Sequence, residues 1–212
     1  MAKRRAGGRK KTAKSPGTPG RLRIVAGIWR SRVLEIADAP GLRPTAERIR
    51  ETLFNWLTPQ IAGKRCLDLF AGTGALGLEA LSRGAKEVVF VEKSHNALAA
   101  LRRNCAALEA QGARIEATDA YAYLQRGVSE TFDVVFLDPP FADDRLDELC
   151  RLLDVTGCLA HGASVYLEQA RDSQLPVLPV GWSVQREKTA GNVRYSLVTA
   201  GKDLATTQPD QV

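Results

Sequence analysis

The sequence contains few of the residues from which metal and redox sites are built. Its 212 residues include four cysteines and two histidines. The cysteines are Cys66, Cys105, Cys150 and Cys158, and no two of them form a C-x-x-C pair. This spacing favours neither a zinc site nor a redox dithiol. We expect the thiols to pack as small buried apolar groups, and we expect no metal in the functional site.

Long apolar runs are also missing. No stretch approaches the ~18 apolar residues of a membrane-spanning helix. The basic N-terminus leads into KTAKSPGTPG rather than into the apolar segment of a signal peptide. These absences predict a cytoplasmic protein. A length of 212 residues suits one α/β domain with a small appendage and is too short for two full-sized domains.

Acidic residues are absent from positions 1–23, which hold nine of the 30 Lys and Arg residues. The rest of the chain carries 21 basic and 24 acidic residues, so the basic excess lies in this first segment. Lys and Arg side chains neutralise nucleic-acid phosphates and release counterions. We interpret residues 1–21 as a basic disordered tail, with Lys10 and Lys11 among its candidate RNA contacts. A solvated tail without a specific role is the alternative.

Residues 22–60 predict a small extension ahead of the main domain. The stretch LRIVAGIWRSRVLEI has partly alternating apolar residues around Gly27, which indicates two short strands joined by a turn. Thr45 is a candidate N-cap for the helix that follows, and Pro59 ends that helix.

Short apolar runs alternate with helical stretches over residues 61–200. Five runs indicate buried strands: CLDLF, VVFVE, ARIEA, DVVFLD and SVYLEQ. Regular alternation of strand and helix predicts a parallel, doubly wound sheet with helices on both faces. Gly191 and Asn192 suit the turn of a C-terminal hairpin, which adds two strands with antiparallel pairing. Residues 201–212 are polar and are predicted to be a frayed tail.

The stretch FAGTGALG (70–77) has a G-x-G-x-x-G spacing and follows the first strand of the main domain. Ligands of open α/β sheets bind at this position, where glycines admit a close approach and the helix N-terminus presents free N–H groups. Glu92 ends the second strand, where a carboxylate can accept from both ribose hydroxyls. No Lys-Ser/Thr follows the glycines, which excludes a P-loop. The spacing alone fits a dinucleotide and S-adenosylmethionine about equally well.

Two features favour S-adenosylmethionine over a dinucleotide. Asp68 precedes the first glycine, and an acid there suits the ammonium of the amino-acid end of S-adenosylmethionine, whereas it would repel a pyrophosphate. An antiparallel last strand is typical of the methyltransferase version of this sheet. The expected fold is therefore a Rossmann-like class I methyltransferase fold, with a mostly parallel seven-stranded sheet and an antiparallel C-terminal hairpin.

The stretch LDPPF (137–141) decides the assignment of the ligand. Pro139 and Pro140 impose an extended backbone after a strand, where Asp138 and the Pro139 carbonyl can both accept from one planar amino group. Phe141 offers a π-face to the base that carries this amine. Two acceptors at the amine protons would aim its otherwise delocalised lone pair at a methyl group held across the cleft. A strand that ends in a proline turn with a capping Asp is the alternative.

Four stretches together resemble the RsmD family, the bacterial methyltransferases that act on guanine N2 in small-subunit (16S) ribosomal RNA. They are RPTAERIRETLFNWL (43–57), LDLFAGTGALGLEALSRGA (67–85), FVEK (90–93) and LDPPF (137–141). The resemblance covers roughly residues 22–199, and the first stretch is much the most specific to the family. It implies transfer of a methyl group from S-adenosylmethionine, with S-adenosylhomocysteine as the product. The implied partner is 16S rRNA in a partly or fully assembled small subunit. We expect the protein itself to be a monomer.

The resemblance also implies roles for particular residues. Asp68, Gly72 and Gly74 would hold the methionine part of the donor, Glu92 its ribose, and Asp119 would lie beside the adenine. Further donor contacts would be Phe70, Ala71, Thr73, Lys93, Ala120 and Thr45. The catalytic loop would be Asp138, Pro139, Pro140 and Phe141, and the candidate RNA contacts of the extension are Arg43, Arg48 and Arg50. For Asp119 an N-cap, and for Arg48 and Arg50 a solvated helix face, are equally good readings.

Three other functions remain open from the sequence. An adenine-N6 DNA methyltransferase would use the same DPPF loop, but this chain has no spare ~100 residues for a target-recognition region. An NAD-dependent oxidoreductase would use the glycine turn and Glu92, and it leaves DPPF unexplained. A non-catalytic RNA-binding module would keep the basic tail without turnover, and the presence of Asp138 argues against it.

Overall fold

A computed structural model describes residues 21–36, 46–140 and 145–201 of the chain. Its strands are β1 (Arg21–Arg23), β2 (Val33–Glu35), β3 (Arg65–Asp68), β4 (Glu87–Glu92), β5 (Ala113–Ala117), β6 (Phe132–Leu137), β7 (Leu159–Ala170), β8 (Ser183–Ala190) and β9 (Val193–Ala200). Its helices are α1 (Glu47–Leu57), α2 (Ala75–Ser82), α3 (His95–Ala107), α4 (Ala120–Gln125) and α5 (Leu146–Thr156).

Seven of these strands form one sheet in the order β5-β4-β3-β6-β7-β9-β8. Strands β3 to β7 pair in parallel, whereas β9 pairs antiparallel with both β7 and β8. The predicted mostly parallel sheet with an antiparallel C-terminal hairpin is confirmed, and its turn falls at Gly191 and Asn192. The order reverses at β3, since β4 and β6 lie on opposite sides of it. This reversal creates a switch point at the carboxyl end of β3.

Apolar side chains cover both faces of the sheet. On one face α1, α2 and α3 pack over Cys66, Phe90 and Phe136. On the other face α4 and α5 pack over Leu67 and Val89. The two clusters explain why the strands of the main domain are continuous apolar runs, because a parallel strand between two helical layers is buried on both sides.

The four thiols lie largely inside the protein. Cys66, Cys150 and Cys158 are buried and Cys105 is half-buried. Burial raises the pKa of Cys150 to about 12 and that of Cys105 to about 11. The neutral thiol is therefore the favoured form at physiological pH, which agrees with the predicted role as apolar packing groups.

Helix α1 begins at Glu47, two residues ahead of its first buried side chain, Ile49. Ala46, rather than the predicted Thr45, occupies the N-cap position, and no side chain of the described residues caps the helix. Thr45 itself lies outside the described residues. Pro59 follows the end of the helix as predicted. Within the described ranges no helix is both long and apolar enough to cross a membrane.

The extension is attached to α2 through one buried carboxylate. Val25 and Ala26, just after β1, donate their backbone N–H groups to Glu79 at 2.7 and 3.0 Å. The guanidinium of Arg50 lies 3.4 Å from the same carboxylate and donates to the Arg23 carbonyl at 2.8 Å. Side chains of both charged residues are at most 1% exposed. The ion pair therefore joins α1, β1 and α2 inside the core.

Ser82, at the end of α2, provides a second attachment for the same segment. Its hydroxyl accepts from the Trp29 N–H at 3.0 Å and donates to the Ala26 carbonyl at 2.6 Å, and its carbonyl accepts from the Ile28 N–H at 2.8 Å. Gly27 has φ +84°, and a Cβ there would stand 1.8 Å from the Ser82 carbonyl oxygen. A side chain at position 27 would therefore push the extension away from α2.

Candidate donor and amine site

Three carboxylates meet at one edge of the sheet. Asp68 is the last residue of β3, Glu92 is the last residue of β4, and Asp138 directly follows β6. Since β4, β3 and β6 are parallel neighbours, their carboxyl ends lie side by side. This edge is the switch point, where open α/β sheets bind their ligands.

The glycine turn between β3 and α2 has the backbone that its composition predicts. Gly72 and Gly74 have φ values of +53° and +93°, which disfavour any residue with a Cβ. Helix α2 begins directly after Gly74, so its first N–H groups lack intrahelical partners at this edge. Gly77 has a packing role instead, because a Cβ there would lie 2.2 Å from the ring of Phe90. It lets α2 approach β4 closely.

Glu92 connects the glycine turn to the end of β4. One carboxylate oxygen accepts from the Gly72 N–H at 2.8 Å, and the other accepts from the Ser94 N–H at 2.7 Å. A carboxylate offers about four lone-pair positions, so each oxygen can accept a further hydrogen bond. The side chain is only half-buried. Glu92 is thus oriented by the backbone and still able to bind a pair of hydroxyls.

Asp68 is a buried carboxylate beside the turn, with 2% exposure. Its Oδ2 accepts from the Gly77 N–H at 3.0 Å. Burial, and then the charges of Asp138 and Glu92, raise the pKa of Asp68 to about 7, although the Gly77 hydrogen bond opposes the shift. An ammonium group at this position would favour the ionised carboxylate. The site is therefore suited to a cationic group rather than to a phosphate.

Asp119 lies two residues after the end of β5, just before α4. Its Oδ1 accepts from the Tyr121 N–H at 2.9 Å, and its Oδ2 lies 2.9 Å from the ammonium of Lys93. The hydrogen bond from Lys93 is the main cause that lowers the pKa of Asp119. The N-cap reading of Asp119 is confirmed, and Ala120 is the first residue of the helix it caps. Contact with adenine stays a prediction for Asp119, Ala120 and Lys93.

The Asp-Pro-Pro segment follows β6 as predicted. Asp138 is half-buried, Pro139 is buried and Pro140 is exposed. Strand β6 lies between β3 and β7, and the charge of Asp138 helps to raise the pKa of Asp68 and of Glu168. Phe141 lies outside the described residues. The segment brings an acceptor-rich backbone next to the glycine turn.

One predicted RNA contact of the extension is wrong. Arg48 is exposed on α1, but Arg50 is 1% exposed and binds Glu79 inside the core. Arg50 lies on the buried face of α1 together with Leu53, which explains why neither RNA nor solvent can reach it. The other predicted RNA contacts, Arg43, Lys10 and Lys11, lie outside the described residues, as does Thr45, which was predicted to contact the donor.

Asn104, on α3, is a supporting residue that sequence analysis did not single out. Its amide donates to the carbonyls of Thr73 and Glu35 at 3.0 Å each, and its oxygen accepts from the Glu35 N–H at 3.0 Å. It therefore ties the glycine turn to β2. Glu79 was also missed, although a lone acid in the apolar helix ALGLEALS is a recognisable signal of a buried partner.

The sheet order, the glycine turn at the switch point and the carboxylates beside it define the fold of S-adenosylmethionine-dependent methyltransferases. Solved structures with this fold include one that is complexed with S-adenosylhomocysteine, at 15% identity and a TM-score of 0.68. At that identity the likeness shows the fold alone.

Closer relatives show the family. A family model described as "Conserved hypothetical protein 95" matches residues 22–199. "Ribosomal RNA small subunit methyltransferase D" of Escherichia coli is 47% identical over 179 residues, which cover 84% of this chain and 89% of that protein. Its namesake in Haemophilus influenzae is 40% identical over 190 residues, covering 88% and 98%. The solved structure of yhhF from Escherichia coli has a TM-score of 0.78 and 42% identity, covering 86% and 99%. The chain belongs to the RsmD family, as its sequence motifs predicted.

Proposed function

We propose that this protein transfers the methyl group of S-adenosylmethionine to the exocyclic N2 amine of a guanine in 16S ribosomal RNA. The observation that carries the proposal is the position of Asp138, Pro139 and Pro140 directly beside β3 and its glycine turn. The names of the relatives support small-subunit rRNA as the substrate class. We further propose that the protein acts in the cytoplasm, as a monomer, on a partly or fully assembled subunit.

The donor fits the carboxylate edge of the sheet. Asp68 would accept from the methionine ammonium, and the free N–H groups at the start of α2 suit the methionine carboxylate. Glu92 would accept from the ribose hydroxyls. Two sets of residues would contact the rest of the donor. The glycine turn would contact its methionine part through Phe70, Ala71, Gly72, Thr73 and Gly74, and the adenine would lie beside Lys93, Asp119 and Ala120. Thr45 is proposed as a further contact from the extension.

The acceptor amine is placed by the loop after β6. Bound S-adenosylmethionine supplies an activated methyl group on an excellent leaving group, so positioning in line accounts for much of the rate. Asp138 and the carbonyl of Pro139 would accept from the two protons of the amine and direct its lone pair across the site. After transfer, Asp138 can take up the proton that the nitrogen loses. We propose that Phe141 stacks on the base.

The test is incubation with labelled donor and 16S rRNA from a strain that lacks the activity, supplied naked and in small subunits, followed by nucleoside analysis. Label in N2-methylguanosine is the expected result. Label in N6-methyladenosine, or label in DNA supplied in a parallel incubation, would replace the proposal by the adenine-N6 alternative. Thermal stabilisation by NAD rather than by S-adenosylhomocysteine would favour a reductase, because a ligand that binds only the folded state raises the melting temperature.

The Glu92→Ala variant should bind the donor about ten-fold or more weakly. The substitution leaves two ribose hydroxyls without a charged acceptor, and a hydrogen bond to a charged group contributes roughly 1.5 to 3 kcal/mol. It also releases the Gly72 N–H, which Glu92 holds at 2.8 Å. Calorimetric titration with S-adenosylhomocysteine measures the effect. Unchanged affinity would remove Glu92 from the donor site.

Deletion of residues 1–20 should weaken RNA binding and flatten its salt dependence without changing donor binding. The segment carries seven basic and no acidic residues, so each phosphate contact it makes releases counterions. The measurement is the slope of log affinity against log salt concentration for the full chain and the shortened chain. Equal slopes would show that the tail makes no contribution.

A further inference from the structure

A second carboxylate stands next to Asp138 on the neighbouring strand. The register of β6 and β7 pairs Leu137 with Leu167. The following residues, Asp138 and Glu168, are therefore opposite each other, and residues opposite each other in a sheet point to the same face. Asp138, which is proposed to bind the amine, thus has a second acid, Glu168, on the adjacent strand.

Glu168 is held in place by a hydrogen bond and is not among the residues proposed to bind the donor. It is 4% exposed, and its Oε2 accepts from the hydroxyl of Tyr166 at 2.6 Å. Burial, and then the charge of Asp138, raise the pKa of Glu168 to about 8. In either protonation state the carboxyl group keeps an oxygen that can accept a hydrogen bond. The residue is therefore an oriented acceptor in the core beside the catalytic loop.

The surroundings of Glu168 leave space next to the catalytic loop. Glu168 lines a cavity together with Pro139 and Pro140, with Leu146 and Asp147 of α5, and with residues 173–177. The amide of Gln169, adjacent in sequence, donates to the carbonyls of Ser173 and Gln174 at 3.4 and 3.0 Å. These two hydrogen bonds help to fix residues 173 and 174, and Glu168 is one of two acidic residues that line the cavity, the other being Asp147.

The Watson–Crick edge of guanine can donate hydrogen bonds to two neighbouring acceptors. Its N2 amine is adjacent to the ring N1–H, so two donors stand side by side. Adenine and cytosine instead place a ring nitrogen acceptor beside their amine. With the amine on Asp138, the atom beside it is directed toward the next carboxyl group along the sheet edge. On the basis of the proposed function, we infer that Glu168 accepts from guanine N1–H and is the residue that selects guanine over other amino-bearing bases.

The test replaces the target guanine by 2-aminopurine, which keeps the 2-amine but lacks the N1–H and the O6 atom. The substrate is rRNA carrying either base at the modified position, in the form that supports activity. The wild-type protein should prefer guanine by about two- to ten-fold in kcat/KM, which is the range expected for one hydrogen bond to an uncharged group. A wild-type protein that methylates both bases equally would overturn the inference.

The decisive variant is Glu168→Met in a Tyr166→Phe background, which removes the acceptor without leaving the tyrosine hydroxyl unpaired. Tyr166→Phe alone is the matched control and should keep the preference for guanine. In the double variant the preference should fall to near unity. Stabilisation by S-adenosylhomocysteine confirms that both variants fold.

The outcomes separate the two proposals. If the double variant is folded, binds S-adenosylhomocysteine and still prefers guanine as strongly as its control, Glu168 does not read the base. If neither base is methylated by the wild-type protein while donor binding is normal, the proposed function itself fails. If the double variant does not fold, Glu168→Gln gives the answer, since its amide oxygen still accepts and a preference lost in that variant would contradict the acceptor role.

Discussion

The Asp138→Ala variant is expected to lose about 10²- to 10⁴-fold in single-turnover methylation, which is the contribution of a well-positioned acid or base. The substitution removes one of the two acceptors that aim the amine lone pair at the methyl group. Donor affinity should be equal or slightly higher, because the charge of Asp138 is one cause of the raised pKa of Asp68. The measurement is the rate on rRNA at saturating donor. Near-normal turnover would remove Asp138 from the mechanism.

Asp138→Asn is the matched control, because it separates orientation from proton uptake. An amide oxygen still accepts a hydrogen bond from the amine, but it takes up a proton far less readily than a carboxylate does. Substantial activity in the Asn variant with none in the Ala variant would assign the effect to orientation. Equal inactivity of the two would assign it to charge or to removal of the proton.

The second large effect is on stability. Glu79→Ala should lower the free energy of unfolding by about 3 to 5 kcal/mol, since it breaks a buried ion pair by removing the carboxylate that lies 3.4 Å from the Arg50 guanidinium. The same change removes the acceptor of the Val25 and Ala26 N–H groups. Urea unfolding followed by circular dichroism measures the loss. A loss below about 1 kcal/mol would show that solvent reaches the pair after all.

Arg83→Ala is the control for this experiment. Arg83 also binds Glu79, at 2.8 Å, but it lies one turn further along α2 with 12% exposure. Its removal leaves Glu79 with three other donors: Val25, Ala26 and Arg50. The expected loss is therefore about 1 kcal/mol, the usual contribution of one hydrogen bond. Comparable losses for both variants would contradict the special role of the buried Arg50–Glu79 pair.

The features that local pattern specifies were predicted correctly from the sequence. The parallel sheet follows from apolar runs that alternate with helical stretches. Gly191 and Asn192 supplied the hairpin turn, and the positive φ values of Gly72 and Gly74 follow from residues without a Cβ. In each case the information lies within a few residues of the feature it determines.

The features that depend on partners far apart in the chain were not predicted. Arg50 has the same helical phase as Leu53 and Leu57, which lie on the buried face of α1. Its ion pair with Glu79 of α2 depends on the tertiary fold and cannot be predicted from the helix alone. The position of Glu168 beside Asp138 follows from the register of β6 and β7, which pairs the preceding residues Leu137 and Leu167, and a shift of one residue would turn Glu168 to the other face. Strand register is determined by the packing of whole strands, so no local sequence motif predicts it.

The attachment of the extension to α2 has a consequence for protein engineering. The contact between the two segments is formed by Gly27 of the extension and by Glu79 and Ser82 of α2. Neither segment keeps these contacts without the other. A chimera that receives only residues 21–57 would bury Arg50 without a partner carboxylate wherever the recipient helix has no acid at the position of Glu79. Transplanting the extension therefore requires co-transfer of α2, so that the two segments are exchanged between homologues as a single module.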